Sequence, residues 1–200
     1  MKDKVVVGSE EWCSFPTLGI PTIKARVDSG AKTSALHAIN IKNFQKDGQE
    51  WVKFDINPIQ NNAKTVIHCE AALVDQRVVK SSSGFRERRY VISTQLEIGG
   101  KRWEVEVTLT NRDSMGFRML LGREAMSGRI LVDPEQKYLL GQPSNEKLKE
   151  YYYTESSEKR GLRIGVLASN PELYSNKRIM EAGELRGHEM HFLNLKYCYM

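Results

Sequence analysis

The sequence is poor in cysteine and has no long apolar run. Its three cysteines are scattered and show no Cys-x-x-Cys spacing, so neither a disulfide framework nor a thiolate metal cage is indicated. No stretch approaches the length of a membrane-spanning helix. The N-terminus offers only the valines of residues 5–7 before polar residues resume, which is far short of a signal-peptide core. We therefore expect a protein of the reduced cytoplasm that does not enter a membrane.

Several catalytic signatures are missing as well. The chain contains no P-loop, no Rossmann fingerprint, no Gly-x-Ser-x-Gly elbow and no His-Glu-x-x-His motif. Its four histidines lack ligand-like spacing apart from His188 and His191. The neighbours His68 and Cys69 would point to opposite faces of a strand. We therefore expect neither a bound metal nor a cofactor.

Composition and charge are those of a globular domain with a modest basic excess. Of the 200 residues, 40% are hydrophobic and 28% are charged, which is typical of a folded protein. The formal net charge of +5 would suit an acidic partner. Because the arginines are not interleaved with stacking aromatic residues, an acidic peptide is a better candidate than a nucleic acid.

Short stretches of alternating polar and apolar residues dominate the first two thirds of the chain and predict strands. The clearest case is a hairpin of residues 95–98 and 101–111, joined by two glycines that tolerate the positive φ of a two-residue turn. A second hairpin is expected over residues 130–140, around an Asp-Pro turn. Many short strands with little helix predict a mainly β, barrel-like domain.

One acidic residue stands out because it lies between an alternating run and a turn. Residues 25–38 read A-R-V-D-S-G-A-K-T-S-A-L-H-A, with Asp28 at the end of the run and Ser29 and Gly30 after it. Gly30 lets the chain turn sharply, and a carboxylate oriented there by backbone amides could act as a general acid or base. The same residues also fit an ordinary Asp-Ser-Gly turn at the end of a strand. On these residues alone both interpretations stay open.

Two further motifs favour the catalytic interpretation. Residues 118–126 read R-M-L-L-G-R-E-A-M, and residues 79–93 read V-K-S-S-S-G-F-R-E-R-R-Y-V-I-S. Together with the Asp28 turn they resemble the retropepsins, the single-lobe aspartic peptidases, over residues 5–140. The resemblance is closer still to the bacterial retropepsin-like family labelled ATP-dependent zinc protease. It implies a single-lobe closed barrel that forms a homodimer, in which each chain contributes Asp28 to a pair of carboxylates.

The resemblance also implies roles for individual residues. Ser29 would brace the catalytic turn, Gly122 would allow close packing behind Asp28, and the polar loop of residues 80–89 would form a flap over the substrate. That loop could also be a mobile hairpin tip without a role. The predicted catalytic residues are Asp28, Ser29 and Gly30. The predicted substrate-binding residues are Lys24, Arg26, Ala31, Ser82, Ser83, Gly84, Arg88, Arg89, Gly122 and Arg123.

The chain changes character after residue 140. Residues 141–161 are polar and charged and predict a linker. Residues 162–200 predict a strand, a helix and a strand, and they resemble the start of an ATP-grasp glutamate ligase of the ribosomal-protein-modifying type. In such enzymes the ATP-binding lobes lie further along, so this βαβ fragment should not bind ATP by itself. We therefore expect a retropepsin-like domain at 1–140, a linker at 141–161 and a ligase-like fragment at 162–200.

The chain departs from the retropepsin pattern at Arg26, where an apolar residue is usual. Arg26 and Lys24 would lie on the same strand face as Asp28, where their charges would favour an ionised carboxylate over a shared proton. The same cations could receive the carboxylates of an acidic substrate, or they could form a solvated strand face. Two functions follow as alternatives. One is an aspartic-type peptidase or amide hydrolase acting on acidic or glutamylated peptides, and the other is a non-catalytic module that presents such peptides to a glutamate ligase.

Overall fold

The computed structural model describes residues 4–60, 62, 64–80, 84, 86–113, 115–152, 162–185 and 188–197. The chain divides into two compact units, Met1–Tyr152 and Tyr153–Met200. In the first unit two helices, α1 (Arg123–Met126) and α2 (Asn145–Tyr152), accompany the strands. The strands are β1 (Val5–Val7), β2 (Glu10–Phe15), β3 (Ile20–Asp28), β4 (Ser34–His37), β5 (Ile39–Lys46), β6 (Gln49–Ile56), β7 (Ile67–Lys80), β8 (Arg86–Ile98), β9 (Lys101–Thr110), β10 (Met119–Gly122) and β11 (Ile130–Val132).

Six of these strands close into a barrel. They pair in the order β2-β3-β10-β4-β9-β8, and Ser14 of β2 pairs with Glu97 of β8 to complete the ring. Closure satisfies backbone groups that an open sheet would expose at its edges. β7, β6 and β5 continue from β8 as an antiparallel extension, while β1 pairs in parallel with β11. The predicted mainly β, single-lobe closed barrel is therefore confirmed.

The apolar half of each alternating strand fills the barrel. On β3, Ile23, Ala25 and Val27 are buried, whereas the intervening Arg26 is exposed. This alternation is the one expected of a strand that faces the core on one side and solvent on the other. β8 and β9 form the predicted hairpin, and the two glycines of its turn adopt φ values of 59° and 70°. Both the inward face of β3 and this hairpin could be predicted because they depend on local pattern alone.

The hairpin predicted over residues 130–140 is wrong. Ile130–Val132 forms β11, but its partner is β1 in parallel pairing rather than the residues that follow it. The segment after the Asp-Pro turn hydrogen-bonds to the start of β2 instead. The backbone N–H of Ser9 donates to the carbonyl of Gln136, and that of Tyr138 donates to the carbonyl of Glu10. Because this segment is bonded to the start of β2, it does not form a return strand beside β11.

Glu10, at the start of β2, is the centre of a cluster of polar contacts. Its carboxylate is 6% exposed and accepts a hydrogen bond from the Tyr138 hydroxyl at 2.6 Å. Three cations surround it, with nitrogen-to-oxygen distances of 2.6 Å for Lys137, 3.3 Å for Arg26 and 3.5 Å for Lys24. Burial alone would raise the pKa of Glu10, but the hydrogen bonds from Lys137 and Tyr138 and the nearby charges lower it from 4.5 to about 2.

Glu10 therefore predicts a loss of stability in acid. Because its folded pKa lies below its unfolded value of 4.5, its contribution is present above that pH and is lost as the pH falls towards 2. The shift corresponds to roughly 3 kcal/mol of unfolding free energy. Urea unfolding of the wild type and of Glu10→Gln should show a stability gap at neutral pH that narrows below about pH 4. A gap of constant size across this range would contradict the assignment.

The second unit has the βαβ pattern expected from the sequence. β12 (Arg163–Ala168) and β13 (Glu189–Asn194) pair in parallel, and α3 (Tyr174–Leu185) connects them. The side-chain oxygen of Asn170 accepts the backbone N–H of Glu172, which is a local turn ahead of the helix. The short βαβ fragment is confirmed.

Within the range predicted to be a linker, α2 forms a helix of the first unit, and the Tyr152 hydroxyl donates to the carbonyl of Thr22.

Candidate active site

Asp28 ends β3 and closes a tight turn with its own side chain. Its Oδ1 accepts the backbone N–H of Gly30 at 2.9 Å and that of Ala31 at 3.1 Å. Two amide donors fix the rotation of the carboxyl group, as in other Asx turns. None of the described residues donates a hydrogen bond to Oδ2. One oxygen is therefore held by the turn while the other is left for a water molecule or a second carboxyl group.

β10 packs directly behind this turn. It runs parallel to β3 with Gly122 opposite Asp28, and the Gly122 N–H donates to the Ser34 hydroxyl at 3.1 Å. The backbone N–H of Arg123 donates to the carbonyl of Ala31, and its guanidinium lies 3.3 Å from the carbonyls of both Ser29 and Gly30. The structure thus brings together the predicted residues 28–31, 122 and 123.

Gly122 has no room for a side chain. A Cβ atom there would lie 2.6 Å from the carbonyl carbon of Thr33 and 2.9 Å from the backbone nitrogen of Ser34. These are backbone atoms, so β4 or β10 would have to move. We expect Gly122→Ala to lower the free energy of unfolding by about 3 kcal/mol.

Urea unfolding would measure this loss, and Gly116→Ala is a matched control. A Cβ at Gly116 would have no neighbour within 4 Å, so this variant should stay within about 0.5 kcal/mol of the wild type. Equal unfolding midpoints for the two variants would show that the packing behind Asp28 is not tight.

The basic row of β3 is partly neutralised within the chain. Lys24 and Arg26 share the strand face of Asp28, and both form ion pairs with Glu10. The ring of Phe117 lies 5.1 Å from the Lys24 ammonium and 6.0 Å from the Arg26 guanidinium carbon, within cation–π range. The Arg26 side chain nevertheless stays 46% exposed. A role for these two residues in binding substrate stays a prediction.

The predicted flap corresponds to the end of a long hairpin. β7 and β8 pair up to Lys80 and Arg86, and Gly84 between them has a positive φ of 86°. Ser82 and Ser83 lie outside the described residues. Arg88 is exposed on β8. Arg89 is largely covered, with its Nε 2.7 Å from Glu87 Oε2.

Sequence reasoning missed a buried polar cluster beside the barrel. His37 at the end of β4 is fully buried, and its Nδ1 accepts the backbone N–H of Arg112 at 3.0 Å. Arg118 is also buried and bonds to Asp113 Oδ1 at 2.5 Å. Burial and the neighbouring Arg118 charge lower the pKa of His37, which favours the neutral ring. The loop of residues 111–118 carries no motif that would have marked these contacts in advance.

In the part of the chain that the structure describes, no group of three or more His, Cys, Asp or Glu side chains is arranged to hold a metal ion. No described helix is long and apolar enough to cross a membrane.

Comparison with known proteins identifies both parts of the chain. The family described as retropepsin-like aspartic endopeptidase RimB matches residues 6–143, and the RimK pre-ATP-grasp domain matches residues 162–200. A probable alpha-L-glutamate ligase of Shewanella halifaxensis is 58% identical over 99% of this chain and 43% of its own length. One from Parasynechococcus marenigrum is 57% identical over 100% of this chain and 43% of its own. The chain thus spans about two fifths of these curated relatives.

A solved structure gives the same result for the fold. A Legionella pneumophila protein of unknown function superimposes with a TM-score of 0.57 and 25% identity, over 68% of this chain and 98% of that protein. The Asp28 turn backed by Gly122, the closed barrel and the match over residues 6–143 agree with one another. The chain belongs to the RimB-like family of retropepsin-like aspartic endopeptidases through its residues 6–143, and its residues 162–200 match the RimK pre-ATP-grasp domain.

Proposed function

We propose that the chain is an aspartic-type peptidase or amide hydrolase in which Asp28 activates water. The observation that carries the proposal is the geometry of Asp28, whose Oδ1 is held by two backbone amides while its Oδ2 accepts nothing from the described residues. A carboxylate oriented in this way can take a proton from water at the free oxygen.

The proposed reaction needs a second carboxyl group, which a homodimer would supply. Two copies of Asp28 facing each other across a two-fold axis would share one proton. The ionised member takes a proton from water as the water oxygen attacks the amide carbon, and the protonated member donates to the amide oxygen. Collapse of the tetrahedral intermediate then breaks the C–N bond, and the amine leaves with a proton from the dyad.

We propose that the substrate is an acidic or glutamylated peptide. The support comes from the chain itself, because a RimK-type segment follows the barrel and the relatives at 57–58% identity are called probable glutamate ligases. A ligase that adds glutamate and a hydrolase that removes it would be functionally linked partners. The exposed Arg26 of β3 and the exposed Arg88 of β8 are suited to carboxylates. The scattered cysteines favour a cytoplasmic setting for this chemistry.

The proposal is tested by measuring the hydrolysis of oligoglutamate and of neutral peptides by the wild type and by Asp28→Asn. Cleavage by the wild type that depends on Asp28 would support it. Equal cleavage by both proteins, or binding of oligoglutamate without cleavage by either, would refute it. The second of these outcomes is the one expected of a module that only presents acidic peptides to a ligase.

A further inference from the structure

Arg112 is a buried cation without a counter-ion of its own. Arg112 lies just after the end of β9 in the chain, and the residue is 6% exposed. No carboxylate of the described residues forms an ion pair with it, and its terminal nitrogens have no hydrogen-bond acceptor among them. The Nε donates to the carbonyl of Phe117 at 3.0 Å, which is a neutral partner. A charge that is buried and unpaired is costly, so it calls for an explanation.

The other buried arginine of this region is paired. Arg118 is 7% exposed and bonds to Asp113. Arg89 has a side chain that is 12% exposed and bonds to Glu87, which also accepts the hydroxyl of Thr110. Arg112 therefore differs from its neighbours in lacking a carboxylate partner, although Arg118 is buried to a similar extent.

Arg112 is held in place towards the Asp28 end of the site. Its backbone N–H donates to His37, and its Nε is fixed by the carbonyl of Phe117, whose ring lies against Lys24 and Arg26 on the face that carries Asp28. Burial lowers the pKa of Arg112, the charge of Arg89 lowers it further, and the charge of Asp28 raises it.

We infer that Arg112 is a specificity residue whose guanidinium receives a carboxylate of the acidic substrate beside Asp28. This inference rests on the proposed function and names the residue that would select its substrate. A planar guanidinium with free terminal nitrogens can bind a carboxylate through two parallel hydrogen bonds. Burial strengthens such a pair because less water is available to screen it. The cost of leaving Arg112 unpaired in the free protein would be recovered when the acidic side chain is bound.

The test measures binding separately from cleavage. The affinity of N-acetylated tetraglutamate and tetraglutamine is measured by calorimetry on the full chain carrying Asp28→Asn, which prevents turnover. Arg112→Met is then added, because methionine fills the space of the buried stem; the Phe117 carbonyl loses its donor, so the melting temperature is measured to check that the variant stays folded. We expect tetraglutamate to bind at least tenfold more weakly and tetraglutamine to be unaffected. Arg102→Met, an exposed arginine of the β8–β9 hairpin, removes the same charge and should change neither affinity.

Two results would overturn the inference. One is a folded Arg112→Met protein that binds tetraglutamate as tightly as its parent, and the other is a parent that does not prefer tetraglutamate to tetraglutamine. If Arg112→Met fails to fold, Arg112→Lys decides, because lysine keeps the charge but cannot form two parallel bonds. It should bind at least threefold more weakly, and unchanged affinity would overturn the inference. If the wild type does not cleave oligoglutamate but tetraglutamate binding depends on Arg112, the peptidase proposal is refuted and the inference about Arg112 stands.

Discussion

Asp28→Asn should lower the turnover rate of peptide hydrolysis by roughly a thousandfold while leaving the melting temperature close to that of the wild type. The asparagine oxygen can still accept the N–H groups of Gly30 and Ala31, so the turn should survive. The amide nitrogen that replaces Oδ2 cannot accept a proton from water. The loss should therefore appear in kcat, measured with a peptide substrate at saturating concentration, and not in stability.

A matched control is available in Asp133. Its Oδ1 accepts the backbone N–H of Glu135, which is the same type of turn as the one that Asp28 makes with Gly30. Asp133→Asn should therefore leave the turnover rate unchanged. If both variants lost activity equally, the effect would be a general consequence of removing a turn carboxylate, and Asp28 would have no special role in the chemistry.

The parts of this site that could be predicted are those encoded by neighbouring residues. The alternation that ends at Asp28 predicted a strand with one buried face, and β3 has that face. Alternation also predicted the hairpin of residues 95–98 and 101–111, and β8 and β9 form it. In both cases the pattern repeats within a few residues, so local packing decides the structure without long-range information.

The parts that could not be predicted depend on pairs that lie far apart in the chain. The alternation of β3 placed Lys24 and Arg26 on one face, where they could receive carboxylates, but it did not show that Glu10 on the adjacent strand pairs with both. Net charge cannot reveal such pairing, because it does not say which strands are neighbours. Arg112 was missed for the same reason. It is the absence of a partner, visible only once the chain is folded, that distinguishes this arginine from the others.

The failed hairpin prediction has a related cause, which lies in Glu11. This residue is fully buried on β2, and its carboxylate accepts three backbone N–H groups, from Gly8 at 2.7 Å, Leu139 at 2.8 Å and Leu140 at 3.4 Å. Gly8 also packs so closely on Gln136 that a Cβ would lie 2.6 Å from its carbonyl oxygen. One carboxylate thus ties Leu139 and Leu140 to the start of the barrel, so they are not available to pair with β11.

We therefore expect Glu11→Ala to lower the free energy of unfolding by about 4 kcal/mol, because it removes the acceptor for three amide groups and leaves a cavity. Glu11→Gln should cost less, since one oxygen can still accept from Gly8 and Leu139, while its NH₂ group would face the N–H of Leu140. Urea unfolding near neutral pH would measure both values.

The exposed Glu97, which pairs with Arg102, provides the comparison, and Glu97→Ala should change stability by less than about 1 kcal/mol. If Glu11→Ala proved as stable as Glu97→Ala, residues 138–140 would have to be held by their backbone contacts alone. If the expected order is found, the closure of the domain depends on one buried carboxylate that binds both its beginning and its end. The charged residues of β2 would then have two separate tasks, since Glu11 joins the chain segments while Glu10 balances the cations beside Asp28.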